Sequence, residues 1–337
     1  MPAAAPWALL AVVSGALIAL QSRITGELAA ALGDDGFTAA LISFGSGLIF
    51  LTLGLLFMAR PRRGVGVVVR DVRAGRLRWW QLVGGFGGAA FVLTQGLAVG
   101  ALGVALFTVA IVAGQVGGGL VFDRMGLGPA GPQRPTARRM TGAALVLAAV
   151  ALSMADKLDG GFALGLLALP LAAGVCVSWQ QAVNGHVRVS SGSAYTGTWF
   201  NFAAGTSALA IIFLIHTAVA GLPAHLPTTP YLYLGGLIGC GFIAIAVATV
   251  SRLGVLLLGL CTITGQLLGS LALDTFLPHG DASVTTATVA GAALALAAVA
   301  LAALPGRRAS RIVASGTAEA DAATDARQVS SPPRSTS

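Results

Sequence analysis

Charged residues are scarce in this chain: they make up 9% of its 337 residues, against 56% hydrophobic, where soluble domains carry roughly 25% charged residues. That deficit excludes an ordinary soluble globule. Cysteine is scarce too, and Cys176, Cys240 and Cys261 lie inside apolar runs without metal-ligand spacing or a paired arrangement, so they read as small core residues. Period-two alternation is missing, which leaves helices as the way to satisfy the backbone in lipid. The apolar stretch Pro2 to Leu20 lacks a positively charged start and is followed by nine further hydrophobic segments, so it reads as a first span and not as a secretory signal. No nucleophile–base arrangement, phosphate-cradling loop or metal-ligand spacing stands out, and neither an enzyme nor a cofactor is expected. Nor is there a nucleotide-binding motif through which the chain could use ATP.

What is present is a series of apolar runs rich in glycine, 46 residues in all, as expected where helices pack closely in lipid. A bilayer core about 30 Å thick needs about 20 helical residues. The runs Pro6 to Leu20, Phe37 to Met58, Trp80 to Gly100, Gly103 to Phe122 and Met140 to Met154 meet that need in the first half. Phe162 to Val183, Tyr195 to His216, Leu232 to Val250, Leu253 to Leu273 and Val284 to Leu304 do so in the second. The expected fold is therefore all-α and integral to the membrane, with ten transmembrane helices.

A pI near 10.6 suggests nucleic acid, but the basic residues sit between apolar runs and not on one amphipathic face, which makes them topology signals. With the N-terminus in the cytoplasm, the loop carrying Arg60, Arg62, Arg63, Arg70, Arg73, Arg76 and Arg78 falls inside. So do Arg124, Arg134, Arg138, Arg139, Arg188, Arg252 and the tail arginines, leaving Arg23 and Lys157 outside. The expected placement is multi-pass in the cell membrane, with both termini cytoplasmic. Beyond Leu304 the composition reads as a disordered tail.

The chain also repeats itself. Gly84, Gly85, Gly88, Phe91, Leu102, Gly103, Gly114, Gln115, Gly118 and Asp123 align without a gap on Gly235, Gly236, Gly239, Phe242, Leu253, Gly254, Gly265, Gln266, Gly269 and Asp274. Gly15, Gln21, Gly26 and Gly33 align with Gly174, Gln180, Gly185 and Gly192, and one residue of slippage brings Ser43, Phe44 and Gly47 onto Asn201, Phe202 and Gly205. The expected organisation is a first five-helix repeat at 1–155, a second, inverted one at 156–305, and a cytoplasmic tail at 306–337. An odd number of spans per copy means that the second enters from the opposite side. Such inverted repeats mark alternating-access transporters with a site near the midplane.

The segment ALQSRITGELAAALG followed by SFGSG returns as SWQQAVNGHVRVSSG followed by NFAAG, with GQVGG and GQLLG in the fourth span of each half. These residues resemble the YdcZ-type inner-membrane exporters of the drug/metabolite transporter (DMT) superfamily, similar to EamA-type carriers. The resemblance covers nearly the whole chain except the tail, and implies secondary transport of a small metabolite or drug-like solute. The partners expected are the lipid bilayer, the solute and a coupling proton or other ion, with no nucleic acid; a homodimer stays open. A channel or lipid-translocating protein, or a non-transporting membrane scaffold, are the alternatives.

Polar groups in lipid are costly unless they face a cavity or a partner. Candidate substrate-binding residues are therefore Gln115 and Gln266 in equivalent fourth spans, Gln21, Gln180, Gln181 and Asn184 at the ends of the first and sixth, and Ser43 and Asn201 in the helices beside them. Interhelical glue explains the two fourth-span glutamines slightly better than substrate contact, and helix capping and packing explain Ser43 and Asn201 equally well. Trp179 offers a ring for an aromatic or cationic solute, or an interfacial anchor. Glu27 pairs with Arg23 at i,i+4, and with His186 at its repeat equivalent it forms a candidate proton-coupling pair. Asp123 and Asp274 end their helices where the dipole disfavours a carboxylate; Arg124 is the partner expected for the first.

Overall fold

The computed structural model describes residues 4–33, 35–153, 164–221, 225–277 and 285–303. The described residues contain no strand. The helices are α1 (Ala4–Ala31), α2 (Gly36–Phe57), α3 (Ala59–Arg73), α4 (Phe86–Met125), α5 (Ala137–Ser153), α6 (Ala168–Ser191), α7 (Ala194–Ala220), α8 (Gly235–Leu253), α9 (Val255–Phe276) and α10 (Thr286–Ala303). Among the described residues, seven of these, α1, α2 and α6 to α10, are long and apolar enough to cross a membrane. The expected tail at 306–337, and the expected span ends Met154, Phe162, Val284 and Leu304, lie outside the described residues.

Two elements differ from expectation. The arginine-rich stretch after α2 is not an irregular loop. Residues 59–73 form the amphipathic helix α3, whose buried stripe of Pro61, Gly64 and Val68 is spaced to repeat on one face. The third and fourth apolar runs both fall within α4, but α4 is not a straight rod. The rings of Phe91 and Phe107 lie 5.9 Å apart, whereas 16 residues of straight helix would separate them by roughly 24 Å. The chain therefore doubles back within α4, giving a first arm that starts at Phe86 and a second that ends at Met125.

Helix ends follow local chemistry. Asp35 and Ser193 cap α2 and α7 by accepting the N–H of Thr38 and Thr196. Gly126 and Gly192 take the left-handed conformation that closes α4 and α6.

Glycines set the closest helix crossings. A Cβ on Gly15 of α1 would overlap the carbonyl oxygen of Thr262 and come within 2.8 Å of the Gly265 Cα on α9. The repeat-equivalent Gly174 of α6 meets Ile111 and Gly114 of the second α4 arm in the same way, 3.0 Å from the Gly114 Cα. One turn further, Gly269 packs on Ala16 and Gly118 on Val175. In both places the first helix of one half lies against the fourth apolar run of the other.

One end of the bundle gathers most of the arginines. Ser190 donates to Asp71 of α3 at 2.8 Å, His186 bonds the Leu127 carbonyl at 2.7 Å, and Arg188 donates to Ser251 at 2.8 Å. The stretch after α2, the α4–α5 loop and the α8–α9 turn thus meet the last turns of α6 at one end. The start of α1 is there as well, with Trp7 under the Arg252 guanidinium at 5.6 Å.

Candidate functional site

Five of the polar side chains that sequence spacing singles out, with Thr25, fall into two clusters at repeat-equivalent places. In the first, Gln21 of α1 donates to the Thr25 hydroxyl at 3.1 Å, and Thr25 lies 3.0 Å from the hydroxyl of Ser43 on α2. In the second, the Oδ1 of Asn201 on α7 accepts from Gln180 at 2.9 Å and from Asn184 at 2.8 Å, both on α6. Residues 21 and 25 of α1, like 180 and 184 of α6, stand one turn apart on the same face. Thr25 is the member that sequence reasoning missed; its signal was its alignment with Asn184 at the register of Gln21 on Gln180.

Each cluster rests on a glycine pair of the other half. Gly236 leaves room for the Ser43 backbone, where a Cβ would overlap the Ser43 oxygen, and Gly85 does the same for Asn201. Between the clusters the rings of Phe44 and Phe202, also repeat equivalents, meet at 5.3 Å with a 38° tilt. The Phe44 ring occupies the space over Gly205, within 2.6 Å of where its Cβ would be, and Phe202 occupies the space over Gly47.

The surroundings of the clusters differ. A cavity of about 30 Å³ borders Gln21, Ser43, Phe44 and Phe202 under Gly235, Gly236 and Gly239, space for about one water. At the second cluster Gln180, Asn184 and Asn201 are all buried, Asn201 completely. The Asn201 Nδ2 and the Gln181 Oε1 are buried without a partner among the described residues, which is costly unless another state or a ligand satisfies them.

The other candidates lie apart from this centre. Gln115 and Gln266 flank the two glycine crossings, half-buried, and the Gln115 backbone carbonyl accepts from Ser178 at 2.7 Å. Trp179 stacks on Trp80 with ring centroids 6.4 Å apart. Glu27 pairs with Arg23 at 3.3 Å and accepts from the Tyr231 hydroxyl at 3.0 Å, while Arg23 reaches the Leu277 carbonyl at the end of α9 at 2.6 Å. His186 sits at the arginine-rich end on the Leu127 carbonyl, so the two proposed proton carriers are held by separate networks.

Asp123 is partnered by Arg139 at 3.4 Å, not by Arg124 as expected. It also accepts the N–H groups of Val255 at 2.7 Å and Leu256 at 3.2 Å, which caps the start of α9. A carboxylate at that helix N-terminus meets the favourable end of the dipole. Among the described residues, no three of His, Cys, Asp or Glu come together as a metal would need.

The sequence matches the family described as "Putative inner membrane exporter, YdcZ" over residues 6–152 and again over 165–301. The chain belongs to the YdcZ family. Membership makes it a multi-pass protein of the inner membrane and a transporter by class. The fold of this YdcZ chain is shared with a solved crystal structure described only as "Crystal structure of protein". The two are 21% identical with a TM-score of 0.64, over 90% of this chain and 98% of that one. No curated protein matches.

Proposed function

We propose that the protein is a secondary exporter of a small, uncharged or amphiphilic solute, working by alternating access between two five-span repeats of opposite orientation. The ten spans are α1, α2, the two arms of α4 and α5 in one half, and α6 to α10 in the other. The observation that carries the reading is the reciprocal exchange at the core: Gly15 meets Gly265 as Gly174 meets Gly114, with Phe44 against Phe202 between them. The two separate family matches, of similar length, support it. The gathering of the arginine-bearing segments and the α1 start at one end supports a cytoplasmic placement for that end and for both termini.

In this reading Gln21, Thr25 and Ser43 face the outer side of the passage, and Gln180, Asn184 and Asn201 the inner. Gln181, Gln115, Gln266 and Trp179 border the path. The phenylalanine pair closes the centre, and the void beside it admits no solute. Opening withdraws each ring from its glycine and gives the free Asn201 Nδ2 a solute acceptor. The groups at the centre are amides, hydroxyls and rings, which favours a solute without formal charge. Glu27 and His186 serve as proton carriers if export is coupled to the proton gradient.

The deciding experiment is counterflow in proteoliposomes, using solutes whose cellular levels change when the protein is removed. Saturable exchange is expected. An open-pore current in its place would make the protein a channel, and no flux of any candidate would leave a scaffold.

A further inference from the structure

We infer that α3 is an interfacial helix whose arginine face binds anionic phospholipid headgroups. At the helical period, Arg62, Arg63, Arg70 and Arg73 fall within an arc of about 100°, and all four are exposed. The opposite face is anchored to protein: Val68 is fully buried with Leu77 and Val187, and Thr196 donates to the Pro61 carbonyl at 3.1 Å.

Among the described residues no carboxylate forms an ion pair with the four arginines of the arc; Arg70 acts on Asp71 only through space, as the weakest of the influences that lower its carboxyl. Asp71, the acid of this helix, lies on another side and is occupied by Arg76 at 2.6 Å and Ser190 at 2.8 Å. Those bonds, the Arg76 one first, hold its carboxyl below the usual carboxylate range. Arg62 makes one long bond to the Leu56 carbonyl at 3.4 Å, which leaves most of its five donors free.

Depth is fixed at both ends of the segment. Phe57 and Met58, 85% and 48% exposed, are the last apolar residues of the α2 span, and α3 starts at the next residue. Trp79, 69% exposed, follows the helix, and exposed indoles collect at the level of the headgroups. A helix held at that depth by its two ends presents its arginines to lipid phosphates within one side-chain length. Guanidinium and phosphate are matched in charge and in hydrogen-bond geometry, and each juxtamembrane basic residue contributes about 1 kcal/mol of attraction to anionic lipid, a factor of about five in affinity. The inference rests on the membrane class of the protein and not on the transport reading.

Native mass spectrometry of the full-length protein titrated with phosphatidylglycerol or phosphatidylcholine tests it. The wild type should retain phosphatidylglycerol preferentially. Each single Arg→Gln change on the arc should weaken retention about fivefold, and R62Q/R63Q/R70Q/R73Q should abolish the preference, whereas the corresponding four Arg→Lys changes should keep most of it. Equal retention of the two lipids by the wild type would overturn the inference. So would an unchanged preference in the quadruple glutamine variant, which would put the lipid elsewhere, or retention of inorganic phosphate that displaces the lipid at equal concentration.

Discussion

The Gln21–Thr25–Ser43 and Gln180–Asn184–Asn201 clusters sit on equivalent backbones, each over a glycine pair of the opposite half, yet one borders a void and the other is sealed. The difference comes from side-chain size. Two hydroxyls in the first cluster stand where the second has two larger amides; Ser43 borders the void, whereas Asn184 and Asn201 are buried. If the proposed passage exists, closure at its two ends can be set independently while the helix crossings stay the same.

The comparison can be broken first at the crossings, where the effect should be largest. Gly15→Ala and Gly174→Ala each force a Cβ into a facing backbone carbonyl, so each should destabilise by about 3 kcal/mol, and by nearly the same amount. Thermal melts of the two variants in one detergent read this. A large loss at one position and none at the other would refute equivalence. Next come the clusters themselves. Asn201→Ala removes the acceptor of two buried amides and should cost about 2–4 kcal/mol, whereas Ser43→Ala, beside a void, should cost about 1 kcal/mol. Equal losses in the same melts would show that the void beside Ser43 does not distinguish the clusters. The smallest effect on folding is expected where the halves carry different titratable groups. Glu27→Gln and His186→Gln should leave stability within about 1 kcal/mol yet flatten the pH dependence of export in inverted vesicles. An unchanged pH profile removes both residues from proton coupling.

Much of the fold was legible because lipid imposes it: apolar length marks spans, and arginines mark one end. Glycines and glutamines at fixed spacing, such as Gly114–Gln115 and Gly265–Gln266, carried the repeat because composition alone does not produce them. What escaped was pairing between distant segments. Asp123 finds its partners in Arg139 and in backbone groups of Val255 and Leu256, and nothing local to Asp123 announces that. The helix α3 is masked in the sequence because its five arginines outnumber the sparse buried stripe of Pro61, Gly64 and Val68. Ser43 and Asn201 were recognised as candidates, but their bonding to Thr25 and Asn184 needed the register between α1 and α2 and between α6 and α7. The contact of Phe44 with Phe202 lies between the halves, where a pattern read along one half cannot reach.

The reciprocal glycine crossings also bear on how such a chain comes into being. Since α1 finds its tightest groove on α9, and α6 on the second arm of α4, neither half can complete its own interior. Until the second half is made, the groove-forming faces of α1 and of the second α4 arm have no partner helix to cover them. If the halves are inverted as proposed, a gene encoding a single half would make a polypeptide that is sound only beside an upside-down copy. Fusion of two copies in one chain removes the need for that encounter, and it frees the two to diverge, as the serine at 43 and the asparagine at 201 have done.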